Sequence, residues 1–254
     1  MKVRSVRSKL FSISSIQSVV KKAIVKKLSY CHKIKALPET GPEYPIHVYL
    51  KDDAVTIAVD TTGKEGLHKR SYRRKTAEAL LRETIAAGLV ILSRWRYEEA
   101  LIDPFCGSGT VCIEVGMMAR NIALGLKRHF CSENWRMISK DKWKREKDLA
   151  KSSMKSEGYK IIGSDIDEKI IEIAKINAKS TGVDIKLMRS SFDKLKAIKS
   201  TDVIITNPLY GVRLKKFRKI HRDPRILREN FPSWKYHIIS SFENFERMFW
   251  EKSQ

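Results

Sequence analysis

Acidic residues are scarce in this 254-residue chain. Asp and Glu number 29 against 51 Lys and Arg, a formal net charge of +22. A field of that size excludes an electrically indifferent surface and implies a polyanionic partner or an anionic membrane. Long apolar runs are also missing: no window of about 18 apolar residues occurs, which argues against a transmembrane helix. The basic N-terminus, MKVRSVRSKLFSISSIQSVVKK, lacks the apolar core and small-residue cleavage site of a secretory signal. Cysteine is limited to Cys31, Cys106, Cys112 and Cys131, with no C-x-x-C pair. That spacing argues against a zinc site or disulfide framework, so no metal is expected and a reducing cytoplasm fits best. Nucleic acid becomes the leading partner. There is no internal repeat and no low-complexity segment.

What is present is an ordinary globular complement, 42% hydrophobic, long enough for one large domain or one and a half small ones. Residues 13–28 read as an amphipathic helix, capped by Ser12 or Ser14, with Ile16, Val19, Val20, Ala23, Ile24 and Leu28 as its apolar stripe. Residues 30–45 are loop, and IHVYL (46–50) and AVTIAVD (54–60) form a hairpin around Lys51-Asp52-Asp53. One helix and one hairpin are too little for an independent domain. Residues 61–79 read as a linker or an ordered binding strap. A helix follows across 80–95, with Leu81, Ile85, Gly88, Leu89 and Leu92 along one face. Strand ALID (100–103), a glycine loop and a helix through VCIEVGMMAR come next. Residues 125–158 are a basic insertion. Strand KIIGSD (160–165) leads to a helix over 167–182, capped by Asp167 and closed by Gly182. Strands at 183–188, 202–206 and 234–240 complete an alternating order. That order predicts an α/β fold with a doubly wound, mostly parallel, Rossmann-like sheet.

Three strand ends carry chemistry. In DPFCGSGT (103–110), Gly107 and Gly109 let backbone approach a ligand closely. The P-loop lysine is absent, and the third glycine of a dinucleotide fingerprint is replaced by Cys112. Losing both phosphate signatures favours an S-adenosylmethionine site, which needs no phosphate cradle. In GSDID (163–167), Asp165 ends a strand where a carboxylate can accept both hydroxyls of a ribose, while Asp167 caps the next helix. In IITNPLYG (204–211), the Asn207 side-chain oxygen and the Pro208 carbonyl offer two acceptors to an exocyclic amine, and Tyr210 offers a ring for stacking. Each loop alone could be a plain turn; three in this order are hard to obtain by chance.

With GLHKRSYR (66–73), RETIAAGLVILSRW (82–95), ARNIALGLKRHFCSENW (119–135) and NPLYG (207–211), the chain resembles the bacterial THUMP-domain class I RNA methyltransferases, similar to the guanine-N2 methyltransferases of 23S ribosomal RNA. The resemblance spans most of residues 10–250. It implies a partial α+β THUMP segment over 1–62, a linker over 63–80 and a methyltransferase domain over 81–254. By resemblance, Asp103, Gly107, Gly109 and Thr110 line the methionine side of the cofactor, Asp165 takes the ribose, and Asp193 contacts the adenine amine. Phe105 and Ile166 complete the cofactor set. Asn207 and Pro208 hold the target amine, and Tyr210 stacks on the base. The implied substrate is guanine N2 in large-subunit ribosomal RNA. Rival readings are an amino-methyltransferase on DNA adenine and a non-catalytic RNA-binding remnant.

The chain departs from that family in places. The front of the THUMP domain and the last strands are missing, which predicts a truncated or decaying product with strand 234–240 as an open edge. Leu80, Leu124 and Leu209 stand where proline is usual, and Ser71 and Trp250 where glycine is usual. Leu209 loosens the amine loop, so Leu209→Pro is expected to raise methyl transfer. The cation–aromatic runs GLHKRSYRR and RLKKFRKIHR (213–222) suit RNA phosphates and bases. His68 and His221 read as surface contacts and Cys106 as a packing residue. Trp135 and Trp143 are left either to stack RNA or to pack against the sheet.

Overall fold

The computed structural model describes residues 1–73, 81–156, 158–195, 202–208, 225–240 and 244–250. The chain divides into two compact units. Met1–Leu67 and Arg128–Lys147 form the first; His68–Lys127 and Asp148–Gln254 form the second. No helix among the described residues is long and apolar enough to cross a membrane.

The first unit holds β1 (Lys2–Val6), α1 (Ile13–His32), β2 (Ile46–Lys51) and β3 (Ala54–Val59). The hairpin lies where the sequence predicts it. Asp52 and Asp53 adopt φ of 50° and 63°, the left-handed pair that a two-residue turn of matching twist requires. Ser12 is the cap of α1, its hydroxyl accepting from the Ser15 N–H. A third strand was not foreseen. β1 runs parallel to β2 and gives the order β1-β2-β3. Its sequence KVRSV interleaves two cations with short residues and mimics a basic tail.

The apolar stripe predicted on α1 is only partly used. Ile16 is buried with Val48 and Leu50, and Val20 packs against them, but Val19 and Leu28 remain exposed. Three short strands cover only part of a 20-residue helix. The segment 128–147 completes this unit. The Trp135 ring stacks on Tyr44 at 4.9 Å, and its indole N–H donates to the Glu43 carbonyl at 2.8 Å. Trp143 stacks on Phe130 at the start of α4 (Lys140–Ser152). Both tryptophans are therefore held by aromatic partners within this unit.

The second unit is built on five parallel strands: β4 (Leu101–Asp103), β5 (Ile161–Asp165), β6 (Lys186–Arg189), β7 (Val203–Thr206) and β8 (Lys235–Ile238). Their order is β6-β5-β4-β7-β8. The helices are α2 (Glu83–Ser93), α3 (Thr110–Ala119), α5 (Glu168–Thr181), α6 (Arg225–Asn230) and α7 (Phe245–Trp250). Successive strand residues point to opposite faces, and both faces are covered. Leu101, Val203 and Ile205 join one cluster with Ala86, Val90 and Ile171. Ile102 and Ile204 join the other with Leu227, Phe231, Phe245 and Phe249. β8 pairs with β7 on one side and with no strand on the other among the described residues.

One expectation needs correction here. Helix α2 buries Glu83, Ala86, Ala87 and Val90; of the predicted face, Leu81 and Leu89 pack against the core, while Ile85 is 46% exposed and Leu92 79%. A helix apolar nearly all round carries no periodicity from which to choose a face. The stretch 68–73, open between linker and ordered strap, is tethered: Tyr72 is buried, and its carbonyl accepts from the Ser180 hydroxyl at 3.0 Å. Leu80, Leu209, Tyr210 and the basic run 213–222 with His221 lie outside the described residues.

Candidate functional site

The C-terminal ends of β4, β5 and β7 converge, as adjacent parallel strands must, and each ends in a polar residue. The loop after β4 turns through Gly107 and Gly109, at φ of 52° and 83°, conformations that a side chain would strain. A Cβ on Gly107 would meet nothing within 4 Å, so the loop faces open space there. One on Gly109 would press on Ala174 at 3.2 Å. Gly163 in β5 permits a still closer approach, since a Cβ would lie 2.7 Å from the Leu187 side chain.

Asp103 and Asp165 are both buried. Asp165 accepts from the Gly107 N–H at 3.2 Å and the Asp167 N–H at 3.0 Å, so it holds the glycine loop as well as facing the ligand end. Burial raises its carboxyl above the usual range, against those backbone donors. Asp103 accepts from the Thr206 hydroxyl at 2.6 Å and the Phe105 N–H at 3.1 Å. Burial pushes it up to about 7, helped by the Asp165 charge and opposed by the two donors. A cation brought to these buried carboxyls would favour their charged forms.

The other predicted cofactor residues spread around these. Phe105 is buried and packs on Phe192 at 5.2 Å between ring centres. Ile166 is exposed just past β5. Asp193 lies in a single 3-10 turn (Phe192–Lys194), whose carbonyls at 192 and 193 accept from the Asn230 amide. Asp167 caps α5 as expected, its carboxylate accepting from the Lys169 N–H at 2.9 Å. Asn207 is half-buried and Pro208 buried directly after β7. Cys106 and Cys112 are buried, and their thiols are raised well above the ordinary range, consistent with packing.

Thr110 turns inward. Its hydroxyl accepts from Arg73 at 2.9 Å beneath the loop. Arg73 also faces Glu83 at 3.4 Å and donates to the Leu81 carbonyl. Arg70 approaches Glu114 at 3.7 Å, and the Tyr72 hydroxyl donates to the same carboxylate at 3.1 Å. Burial pushes Glu114 up to about 7, with the Arg70 charge opposing. Arg70, Tyr72 and Arg73 therefore bind the protein's own acids rather than RNA, a correction to the reading of GLHKRSYRR. The signal that could have found this was the lone acid, Glu114, inside the apolar α3. His68 and Lys69 remain exposed.

Residues 70–252 match the family described as RMKL-like, methyltransferase domain, and residues 1–60 match the THUMP domain. Over 98% of its length the chain is 36% identical to YpsC of Bacillus subtilis, provisionally named an RNA methyltransferase, and covers 67% of that protein. Over 72% of its length it is 36% identical to the ribosomal RNA large subunit methyltransferase K/L of Vibrio parahaemolyticus, covering 28% of it. Among solved structures, a Listeria monocytogenes protein described as a predicted N6-adenine-specific DNA methylase matches 99% of the chain at a TM-score of 0.92 and 35% identity. SMU.472, provisionally described as a methyltransferase and solved with S-adenosylhomocysteine, matches 100% of the chain at 0.90 and 35%. The chain covers 68% of each of these two. The second unit thus has the Rossmann-like methyltransferase fold. The chain belongs to the RMKL-like methyltransferase family, carrying a THUMP domain ahead of its methyltransferase domain.

Proposed function

We propose that the chain transfers a methyl group from S-adenosylmethionine to the exocyclic amine of a base in RNA, with guanine N2 of large-subunit ribosomal RNA as the target. The observation that carries this reading is the convergence of Asp103, Asp165 and Asn207-Pro208 at three adjacent strand ends around the Gly107–Gly109 loop. The residues fit the cofactor. The loop faces open space at Gly107, and a buried acidic pair suits a ligand bearing an ammonium and a sulfonium.

Bound adenosylmethionine supplies an electrophilic methyl. Asp165 takes the ribose hydroxyls, Asp103 faces the methionine ammonium, and exposed Ile166 with Asp193 borders the adenine. The Asn207 oxygen and Pro208 carbonyl accept both N–H groups of the target amine and aim its lone pair at the methyl; Tyr210 stacks on the base. Positioning supplies much of the rate, and the proton leaves after transfer, so no strong base is needed. The partner reading rests on the +22 charge and on α1, whose Lys21, Lys22, Lys26 and Lys27 are exposed with no acid in the helix.

The test is tritium transfer from labelled adenosylmethionine to total RNA and to DNA, followed by identification of the modified base. Label on guanine N2 in large-subunit RNA is the expected outcome. Label on adenine in DNA would move the substrate to the other polymer, and no label in either would refute transfer.

A further inference from the structure

Thr206 has no part in the reading above, yet its geometry joins the two halves of the site. It is fully buried at the end of β7, and its hydroxyl donates to the Asp103 carboxylate at 2.6 Å. Its own carbonyl accepts from the Ile239 N–H at 3.1 Å, tying it to the chain beyond β8. Asp103 belongs to the cofactor side, and Asn207, the next residue after Thr206, to the substrate side. We propose that Thr206 is a positioning residue whose single hydrogen bond fixes the Asp103 carboxylate and the Asn207-Pro208 acceptors relative to each other. The inference rests on the roles proposed above for Asp103 and Asn207.

A hydroxyl pinned between a carboxylate and a strand leaves its residue one rotamer, so the backbone entering Asn207 inherits a fixed origin. The bond also favours the ionised carboxylate and so opposes the burial that raises Asp103. The groups acting on Asp103 are Thr206, the Phe105 N–H and the Asp165 charge; the thiols of Cys106 and Cys112 face it in turn. Both thiols are raised well above the ordinary range by burial, and burial raises the Asp165 carboxyl as well.

Thr206→Val removes the hydroxyl and keeps the shape; Thr206→Ser restores it. Carboxyl carbon NMR of the ligand-free protein reads Asp103 directly. The midpoint near 7 should rise by about one unit in Thr206→Val and return in Thr206→Ser. Adenosylmethionine affinity at pH 7 should then fall roughly fivefold in the valine variant, as the ionised fraction falls. Turnover on RNA should fall at least tenfold with KM for RNA unchanged, and the serine variant should recover it. An unmoved Asp103 midpoint, or unchanged turnover in a folded Thr206→Val, would overturn the coupling. If the midpoint moves but wild-type protein binds no adenosylmethionine, the proposed function fails while the hydrogen bond stands.

Discussion

In the five-stranded sheet, Ile204 is fully buried between helices and the polar residues Asp103, Asp165 and Thr206 are buried at the strand ends. In the three-stranded sheet, β3 leaves Val55 56%, Ile57 57% and Val59 53% exposed. The same β-branched types thus fill a core in one unit and a surface in the other. The methyltransferase unit buries enough apolar area to hold ionisable groups dry and in place, which is what raises Asp103. The THUMP unit rests on a small cluster around Ile16, Val48 and Leu50 and presents cations instead.

Substitutions that cut the dense unit should have the largest effects. Arg73→Gln breaks a buried ion pair and frees Thr110, so a loss of about 3 to 5 kcal/mol in urea unfolding is expected. Ile204→Ala should cost about 2 to 5 kcal/mol in the same measurement. pH offers a subtler probe. Asp103 holds its proton more tightly folded than unfolded, so its contribution to stability is full in acid and is lost as pH rises through about 7. Asp103→Asn should remove that decline, read as a flatter melting-temperature profile between the ordinary carboxylate range and neutrality. Ser71 sits at φ 64°, and Ser71→Gly should stabilise by about 1 kcal/mol in denaturant titration. At the bottom of the scale, Ile57→Ala in the other sheet should change stability by no more than about 0.5 kcal/mol. A loss there equal to that of Ile204→Ala would erase the contrast between the two units.

These contrasts also explain what could be read in advance. β4, β5, β7 and β8 were legible because they carry branched or aromatic residues beside polar ends, and the glycine loop because its turn demands glycine; β6 (Lys186–Arg189) starts three residues later than the predicted 183–188. The α5 caps, Asp167 and Gly182, were legible because capping is local. β1 was not, because its pairing with β2 is set by tertiary contact rather than by its own pattern. The face of α2 was hidden by its uniform apolarity. Arg73 and Thr206 were missed for a different reason: Arg73 pairs with Glu83 and, 37 positions away, with Thr110, Thr206 pairs with Asp103, 103 positions away, and no spacing rule points to these partners. A cation in a basic run looks like an RNA contact until its carboxylate partner is seen.

In the proposed reaction, binding the donor and holding the acceptor are separate tasks of separate strand ends. Calorimetric titration of adenosylmethionine into wild type, Asp165→Ala and Asn207→Ala separates them. Wild type and Asn207→Ala are expected to bind alike, while Asp165→Ala is expected not to bind. No binding to wild type at millimolar ligand, or equal loss in both variants, would contradict this division of tasks.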